Sequence, residues 1–394
     1  MTSSRTQPLR LILAIQRLGD VGGQEKSTLA ILSRLVASGW TVELLAFDLS
    51  DWPEDLPLKW RRLPRFPLSV QLVQNMWFMA LVGGLIMGRR AFAFLANTPS
   101  PVVLTIGTAA PFADVRVVQF VHGAALAVLR QGLVPYPNSA SWLRGLYQRV
   151  YARVEAGMER LLLHRCLALI AISRGVAAEV QRWTPGSVAS RITVIHHAAD
   201  TLTLPPMPSE GDKVGVPTVL FVGALERKGI AKALRCLALL QDVPWQFTVV
   251  GGGDVARWQA AAAALGIGAR TTFLGQTPAS RHFQTAAVFL FPSVYEPFGL
   301  VVTEAIAHGV APLVSRECGA MELWDERDAW LNLSAQDSDQ AWALSLRRLL
   351  EKSDDRSQVV TAAQAAVARW TWDQAAAAYA AVLQSVLPAK EGRA

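Results

Sequence analysis

The chain has 394 residues, long enough for two domains with full cores. With 52% apolar and 18% charged residues it is too hydrophobic to be disordered. The formal charge of +7 is unevenly spread, since residues 1–200 hold 21 Lys or Arg against 12 Asp or Glu and the remainder holds 17 against 19. The N-terminal half is therefore expected to face something anionic. No nucleic-acid-binding motif accompanies that charge, so an anionic membrane face is the better expectation and no nucleic-acid partner is expected. Cys166, Cys236 and Cys318 lie far apart without C-x-x-C spacing, which points to a reducing compartment and away from a zinc site or disulfide framework. The first residues lack the apolar run of a signal peptide, and a cytoplasmic chain is the expectation.

Leu9 to Gln16 reads as a first buried parallel strand, followed by the loop Arg17 to Gly23, a helix from Gln24 to Ser38, and a second strand at Thr41 to Phe47. The glycines Gly19, Gly22 and Gly23 do not fit G-x-G-x-x-G, and Glu25 before Lys26-Ser27 rules out a P-loop. Lys59 to Arg65 is a basic, aromatic cluster, and Phe66 to Gly88 runs without a charge. Gln71, Gln74 and Asn75 leave only Met76 to Met87 densely apolar, too short to span a bilayer. The segment is expected as a helix that is either buried or interfacial. Strands are expected at Val102–Ile106 and Val115–Val121, the latter ending in His122-Gly123. Tyr136 to Arg165 reads as a long helix with Arg149, Arg153 and Arg160 on one face and Leu146, Val150 and Leu161 beside it. That pattern fits either a membrane surface or an ordinary solvated face. Strands at Leu167–Ile172 and Arg191–Ile195 complete a first domain, 1–200. The proline-rich 201–217 is the linker.

A second βα series fills 218–370. Strand Thr218–Val222 leads to Gly223-Ala-Leu-Glu-Arg-Lys-Gly229, where Arg227 and Lys228 stand at a helix start and suit an anion. Strand Phe247–Val250 ends in Gly251-Gly252-Gly253, and Thr271–Leu274 is followed by Gly275. The segment Phe289 to Ala305, FLFPSVYEPFGLVVTEA, reads as a strand stopped by Pro292, a loop carrying Glu296, and a helix from Leu300 to His308 that holds Glu304. Ligands of open α/β sheets bind outside the carboxyl ends of strands, and free amides at a helix start suit phosphates. Two carboxylates flanking such amides suit a sugar attached to phosphates. Asp337-Ser338-Asp339 is read as a helix cap. The last segment, 371–394, is an alanine-rich helix.

Together these segments resemble the retaining glycosyltransferases of the GT-B fold, in particular the large fourth family, also called group 1. The resemblance rests on Ser293-x-x-Glu296-Pro-Phe-Gly-Leu300 with Glu304 eight residues after Glu296, on Gly22-Gly23-Gln24-Glu25, Val121-His122-Gly123, Ile170-Ala-Ile-Ser173, Gly223-x-Leu-x-x-x-Lys228-Gly229 and Trp370-x-Trp372. It implies an α/β fold of two facing Rossmann-like domains with a C-terminal helix crossing back to the first. The activity implied is sugar transfer from a nucleoside-diphosphate sugar to a glycan or lipid-linked acceptor hydroxyl, with retained configuration. By the same resemblance His122 and Glu296 flank the reacting sugar. Gly22, Gly23, Arg227, Lys228, Gly252, Leu274, Phe298, Gly299, Leu300 and Glu304 hold the donor. The cations and amides stand in for a metal, so no metal and no other cofactor are expected. Peripheral attachment to the inner membrane face is a further expectation. The chain departs from the family pattern at His196-His197-Ala198-Ala199-Asp200, where only the aspartate matches, and at Cys318, which replaces a glycine. A sugar phosphorylase, or a non-catalytic carbohydrate- or membrane-binding relative, remains an alternative.

Overall fold

The computed structural model describes residues 9–19, 22–130, 142–184, 186, 188–199 and 215–387. Outside these lie Asp20 and Val21 of the first glycine loop, 136–141 of the long helix, Asp200, residues 201–214 of the linker and 388–394. The chain divides into two compact units, one of Met1–Leu126, Leu146–His196 and Trp372–Ala394 and one of Ala127–Gly145 and His197–Thr371. The change of unit at His196 lies close to the boundary expected at residue 200.

The first unit opens with β1 (Arg10–Ala14), the short β2 (Arg17–Leu18) and α1 (Gly23–Ala37). Then come β3 (Thr41–Ala46), the short β4 (Asp48–Leu49), β5 (Lys59–Arg62) and α2 (Gln71–Leu95). They are followed by β6 (Val102–Ile106), β7 (Val115–Val118), α3 (His122–Arg130) and α4 (Trp142–Leu163), and then by β8 (Ala168–Ala171), α5 (Arg174–Trp183) and β9 (Ile192–Val194). Seven of these strands form a parallel sheet ordered β5-β3-β1-β6-β7-β8-β9. Its central strands are buried along nearly their whole length, as in a parallel sheet covered on both faces, and this explains their unbroken apolar runs. The expected strand Val115–Val121 ends at Val118, which puts His122 at the first turn of α3 and not at a strand end.

The second unit contains β10 (Thr218–Val222), α6 (Ile230–Ala238), β11 (Gln246–Val250), α7 (Val255–Ala264) and β12 (Thr271–Phe273). α8 (Ser280–Phe283), β13 (Val288–Phe291), α9 (Leu300–Ala307), β14 (Ala311–Val314), α10 (Asp339–Glu351) and α11 (Ser353–Ala368) complete it. Its five strands are parallel in the order β12-β11-β10-β13-β14. The Asp337-Ser338-Asp339 segment caps α10: the Ser338 hydroxyl accepts from the Ala341 N–H at 3.1 Å, and Asp339 pairs with Lys232 and Arg235. The last helix, α12 (Trp372–Ser385), belongs to the first unit. There Asp373 pairs with Arg34 at 2.6 Å and buried Tyr379 lies beside Leu13, Thr28 and Ile31.

Helix α2 is longer than the sequence implied. Phe78, Val82 and Ile86 pack into a core with Leu45, Phe47 and Leu63, and the Phe47 and Phe78 rings meet edge to face at 4.9 Å. The helix continues through Arg89 and Arg90 because those guanidiniums pair with Glu43 and Asp114, each at 2.6 Å. By length and composition alone its 25 residues would suffice to cross a membrane, although one face is packed into the core. Truncating the packed ring tests this core. Phe78→Ala should lower the unfolding free energy of the first unit by about 3–5 kcal/mol in urea titration, and a loss near zero would contradict the packing.

Candidate active site

In the second unit the residues singled out from the sequence gather at the carboxyl ends of β10, β11, β12 and β13. Two left-handed glycines position the helix starts. Gly229 caps α6 at φ +88°, and a Cβ there would lie 2.2 Å from the Pro292 carbonyl oxygen, so the loop after β10 sits directly on the end of β13. Gly299 caps α9 at φ +90°, and its Cβ would meet the Cys318 sulfur at 2.8 Å. The Cys318 thiol donates to the Phe298 carbonyl at 2.9 Å, and burial pushes its pKa up to about 12, so it remains a neutral donor. Ala320 N–H and Gly319 N–H donate to the Phe298 and Glu296 carbonyls at 2.8 and 3.1 Å. The cysteine that departs from the family glycine thus helps fix the Glu296–Leu300 loop.

The two loops are joined by charge. Lys228 and Glu296, only 7% and 8% exposed, form a direct ion pair, and the ammonium also lies 5.3 Å from the Phe291 ring centroid. Burial is the largest influence on Lys228 and drives its pKa well below the ordinary lysine value, with Arg227 pushing the same way. The carboxylate against it favours the charged form. This corrects the picture of two cations presented side by side to an anion. Arg227 is exposed at the α6 start, whereas Lys228 is turned inward onto Glu296. Glu304 lies half-buried in the second turn of α9, and Phe298 is buried with its ring 5.0 Å from that of His197. Gly252 faces the Gln276 side chain, its carbonyl accepting from Leu225 N–H at 3.1 Å. Leu274 follows β12 as a 40% exposed side chain, its N–H bonded to the Val249 carbonyl.

In the first unit Gly22 is the extended cap of α1 and Gly23 its first residue. His122 lines a cavity of about 390 Å³ with Gln16, Arg17, Glu25, Asp48, Arg65, Asn75, Thr108, Tyr151 and Glu155. The His122 Nδ1 lies 3.1 Å from Glu159, whose other oxygen accepts from the Gly123 N–H at 3.4 Å. Gly123 is required by packing, since a Cβ there would be 2.4 Å from the Trp183 ring. Burial works against the imidazolium, but the hydrogen bond and charge of Glu159, with the charge of Glu155, outweigh it and raise the His122 pKa. Glu155 accepts from Asn75 Nδ2 at 2.6 Å and from Thr108 at 3.1 Å, and Gln16 and Gln71 both donate to Asn75 Oδ1. Sequence reasoning missed this network. Its signals were Glu155 and Glu159 one helical turn apart, on the side of α4 away from the arginines, and the polar Gln71, Gln74 and Asn75 within an apolar run. Among the described residues no group of three His, Cys, Asp or Glu side chains is placed to hold a metal.

Residues 207–366 match the profile of the Glycosyl transferases group 1 family, and residues 21–202 that of Glycosyltransferase Family 4. Together the two profiles cover most of the chain, which is a group 1 / family 4-like glycosyltransferase with the GT-B fold. A D-inositol 3-phosphate glycosyltransferase of Corynebacterium urealyticum is 30% identical over 213 residues, 50% of this chain and 47% of that protein. A glycogen synthase of Anaeromyxobacter sp. is 28% identical over 287 residues, 66% of this chain and 58% of that one. The chain thus spans about half the length of the curated relatives it matches. WaaG, a glycosyltransferase involved in lipopolysaccharide biosynthesis, superposes with a TM-score of 0.71 at 19% identity, covering 95% of this chain and 99% of that one. Anabaena HepE, solved with UDP and glucose, gives 0.66 at 18% identity, covering 96% and 100%. At these identities the solved structures establish the shared fold, and the sequence profiles carry the family.

The His122–Glu159 contact sets a titration. With its folded pKa raised, His122 contributes stability that is complete below its unfolded value of about 6.5 and is lost as pH rises through the folded value. Glu159→Gln leaves burial as the dominant influence, so the His122 pKa, followed by NMR of the ring protons, should fall. An unchanged pKa in the variant would contradict the assignment.

Proposed function

We infer that this group 1 glycosyltransferase moves a sugar from a nucleoside-diphosphate sugar onto an acceptor hydroxyl of a glycan or lipid-linked molecule, retaining the anomeric configuration. What supports the reading is that the loop after β10, with exposed Arg227, and the loop and helix after β13, with Glu296, the glycine-capped start of α9 and Glu304, follow the carboxyl ends of two neighbouring parallel strands. Support also comes from HepE, solved with UDP and with UDP-glucose. In this proposal Arg227 and the amides of Phe298 to Leu300 neutralise the departing diphosphate, the charge that grows most in the transition state. Lys228 holds Glu296 in place. A carboxylate has two oxygens, so one accepts from Lys228 and the other remains for hydroxyls of the donor sugar. Glu304 takes the ribose, and Gly252 and Leu274 border the base. Gly22 and Gly23 are donor-binding in this proposal, and His122 flanks the reacting sugar. A raised His122 pKa suits an imidazolium that donates to an oxyanion better than it suits a general base. The donor residues need no metal to balance the diphosphate charge.

The anion site is tested by calorimetry with UDP. Arg227→Ala should weaken binding by about 1.5–3 kcal/mol, the loss of a charge-assisted hydrogen bond, and an unchanged affinity would remove Arg227 from the site. The two glutamates should separate. Glu304→Gln should weaken UDP and UDP-glucose alike, since both carry ribose, whereas Glu296→Gln should spare UDP and lower turnover. If Glu296→Gln weakens UDP as much as Glu304→Gln does, the sugar-side role of Glu296 is wrong.

A further inference from the structure

Helix α2 has two apolar sides. One is the core face through Phe78, Val82 and Ile86. The other is exposed and runs through Met76, Ala80, Gly84, Met87, Ala91 and Phe94 at intervals of three or four residues, a continuous stripe. Phe92, Phe94 and Leu95 are 71%, 85% and 82% exposed at its end. An exposed helix face is ordinarily polar. Here the only charged residues of α2 are Arg89 and Arg90, both committed to ion pairs with Glu43 and Asp114.

Cations flank this stripe. Helix α4 packs beside α2, where Tyr147 OH accepts from Leu72 N–H at 3.1 Å and Asn75 donates to Tyr151 and Glu155. On α4 the acids Glu155 and Glu159 are buried while Arg149, Arg153 and Arg160 are exposed. At the end of α2, the edge strand β5 exposes Lys59, Trp60, Arg61 and Arg62. A groove of about 690 Å³ between the N-terminal ends of β1, β3 and β5 and the last turns of α2 is lined by Arg10, Lys59, Arg61 and Arg89 beside Phe92, with Glu43 as its one carboxylate.

We propose that α2, α4 and β5 dock the chain on an anionic phospholipid bilayer, with α2 lying flat in the lipid–water boundary. Apolar side chains enter the acyl region while the flanking cations meet lipid phosphates. Spanning is excluded because the opposite face of α2 holds Gln74 and Asn75 and is built into the core of the sheet. A second copy fits poorly, since a two-fold contact would bring the same arginines together. The first turn of α2 supplies Gln71, Gln74 and Asn75 to the cavity that holds His122. Docking therefore sets that cavity at headgroup level. On the transferase reading of the site, this selects a lipid-linked acceptor over a soluble one.

The test is co-sedimentation of the full chain with phosphatidylcholine vesicles, with and without phosphatidylglycerol, at low and high salt. Binding should require phosphatidylglycerol and fall steeply with salt. Phe94→Ser with Leu95→Ser should lower the bound fraction at least severalfold, and Arg149→Glu with Arg153→Glu should cost about fivefold per cation removed. UDP affinity in each variant, which these surface positions do not touch, reports the fold and tests the transferase reading separately. Equal binding to neutral vesicles, binding to neither, or full binding by both variants overturns the proposal. So does a solution dimer dispersed by Phe94→Ser and Leu95→Ser, which would make the stripe a contact between copies. Should vesicles bind as expected while UDP does not, docking stands and the transferase reading fails.

Discussion

The buried pair of Lys228 and Glu296 is the contact on which the second unit's site depends. A lysine and a glutamate have left water there, and burying such groups is costly unless close geometry between them offsets it. The pair spans two βα loops that are distant in sequence and fixes their spacing. Gly229 against the Pro292 carbonyl and Gly299 against Cys318 fix it a second time, by close approach that no side chain would allow. The helix starts of α6 and α9 are consequently held in place by the fold itself. On the proposed reading, amides preorganised in this way cost no reorganisation when charge develops on a leaving group.

Much of the site was legible because its signals are local. Pro292 stops a strand, Gly299 starts a helix and Gly309 follows its end, the first two within FLFPSVYEPFGLVVTEA and the third four residues after it; the structure has β13 at Val288–Phe291 and α9 at Leu300–Ala307. What was not legible depends on tertiary packing. Nothing in Arg227-Lys228 says that one side chain faces out and the other turns onto a glutamate 68 positions away. His122 reads as a strand-end residue until the early end of β7 gives it to α3, and Glu159 becomes its partner only when α4 is placed. The extent of α2 was hidden for a related reason. Gln71, Gln74 and Asn75 look like interruptions of an apolar segment but are the polar lining of a cavity, and Arg89 and Arg90 look like its end but fold back onto Glu43 and Asp114.

The first unit combines two demands that composition already hinted at. Its excess of Lys and Arg is not spread at random, because the acids Glu155 and Glu159 are drawn inward around Asn75 and His122 while arginines of the same helix face out. Burying carboxylates there is costly unless each is hydrogen-bonded, and both are. The result is a polar, acid-lined cavity behind a cationic surface. That division lets one helix shape the cavity and the outer surface together.

The central claim is that the starts of α6 and α9 receive a nucleoside diphosphate. Hydrogen–deuterium exchange of the full chain with and without saturating UDP tests it most directly. The account predicts slowed exchange concentrated in peptides covering 225–232 and 296–304, with smaller changes at 250–254 and 274–276. Protection confined to the cavity around His122, or absent from both helix starts while UDP is bound, would contradict it.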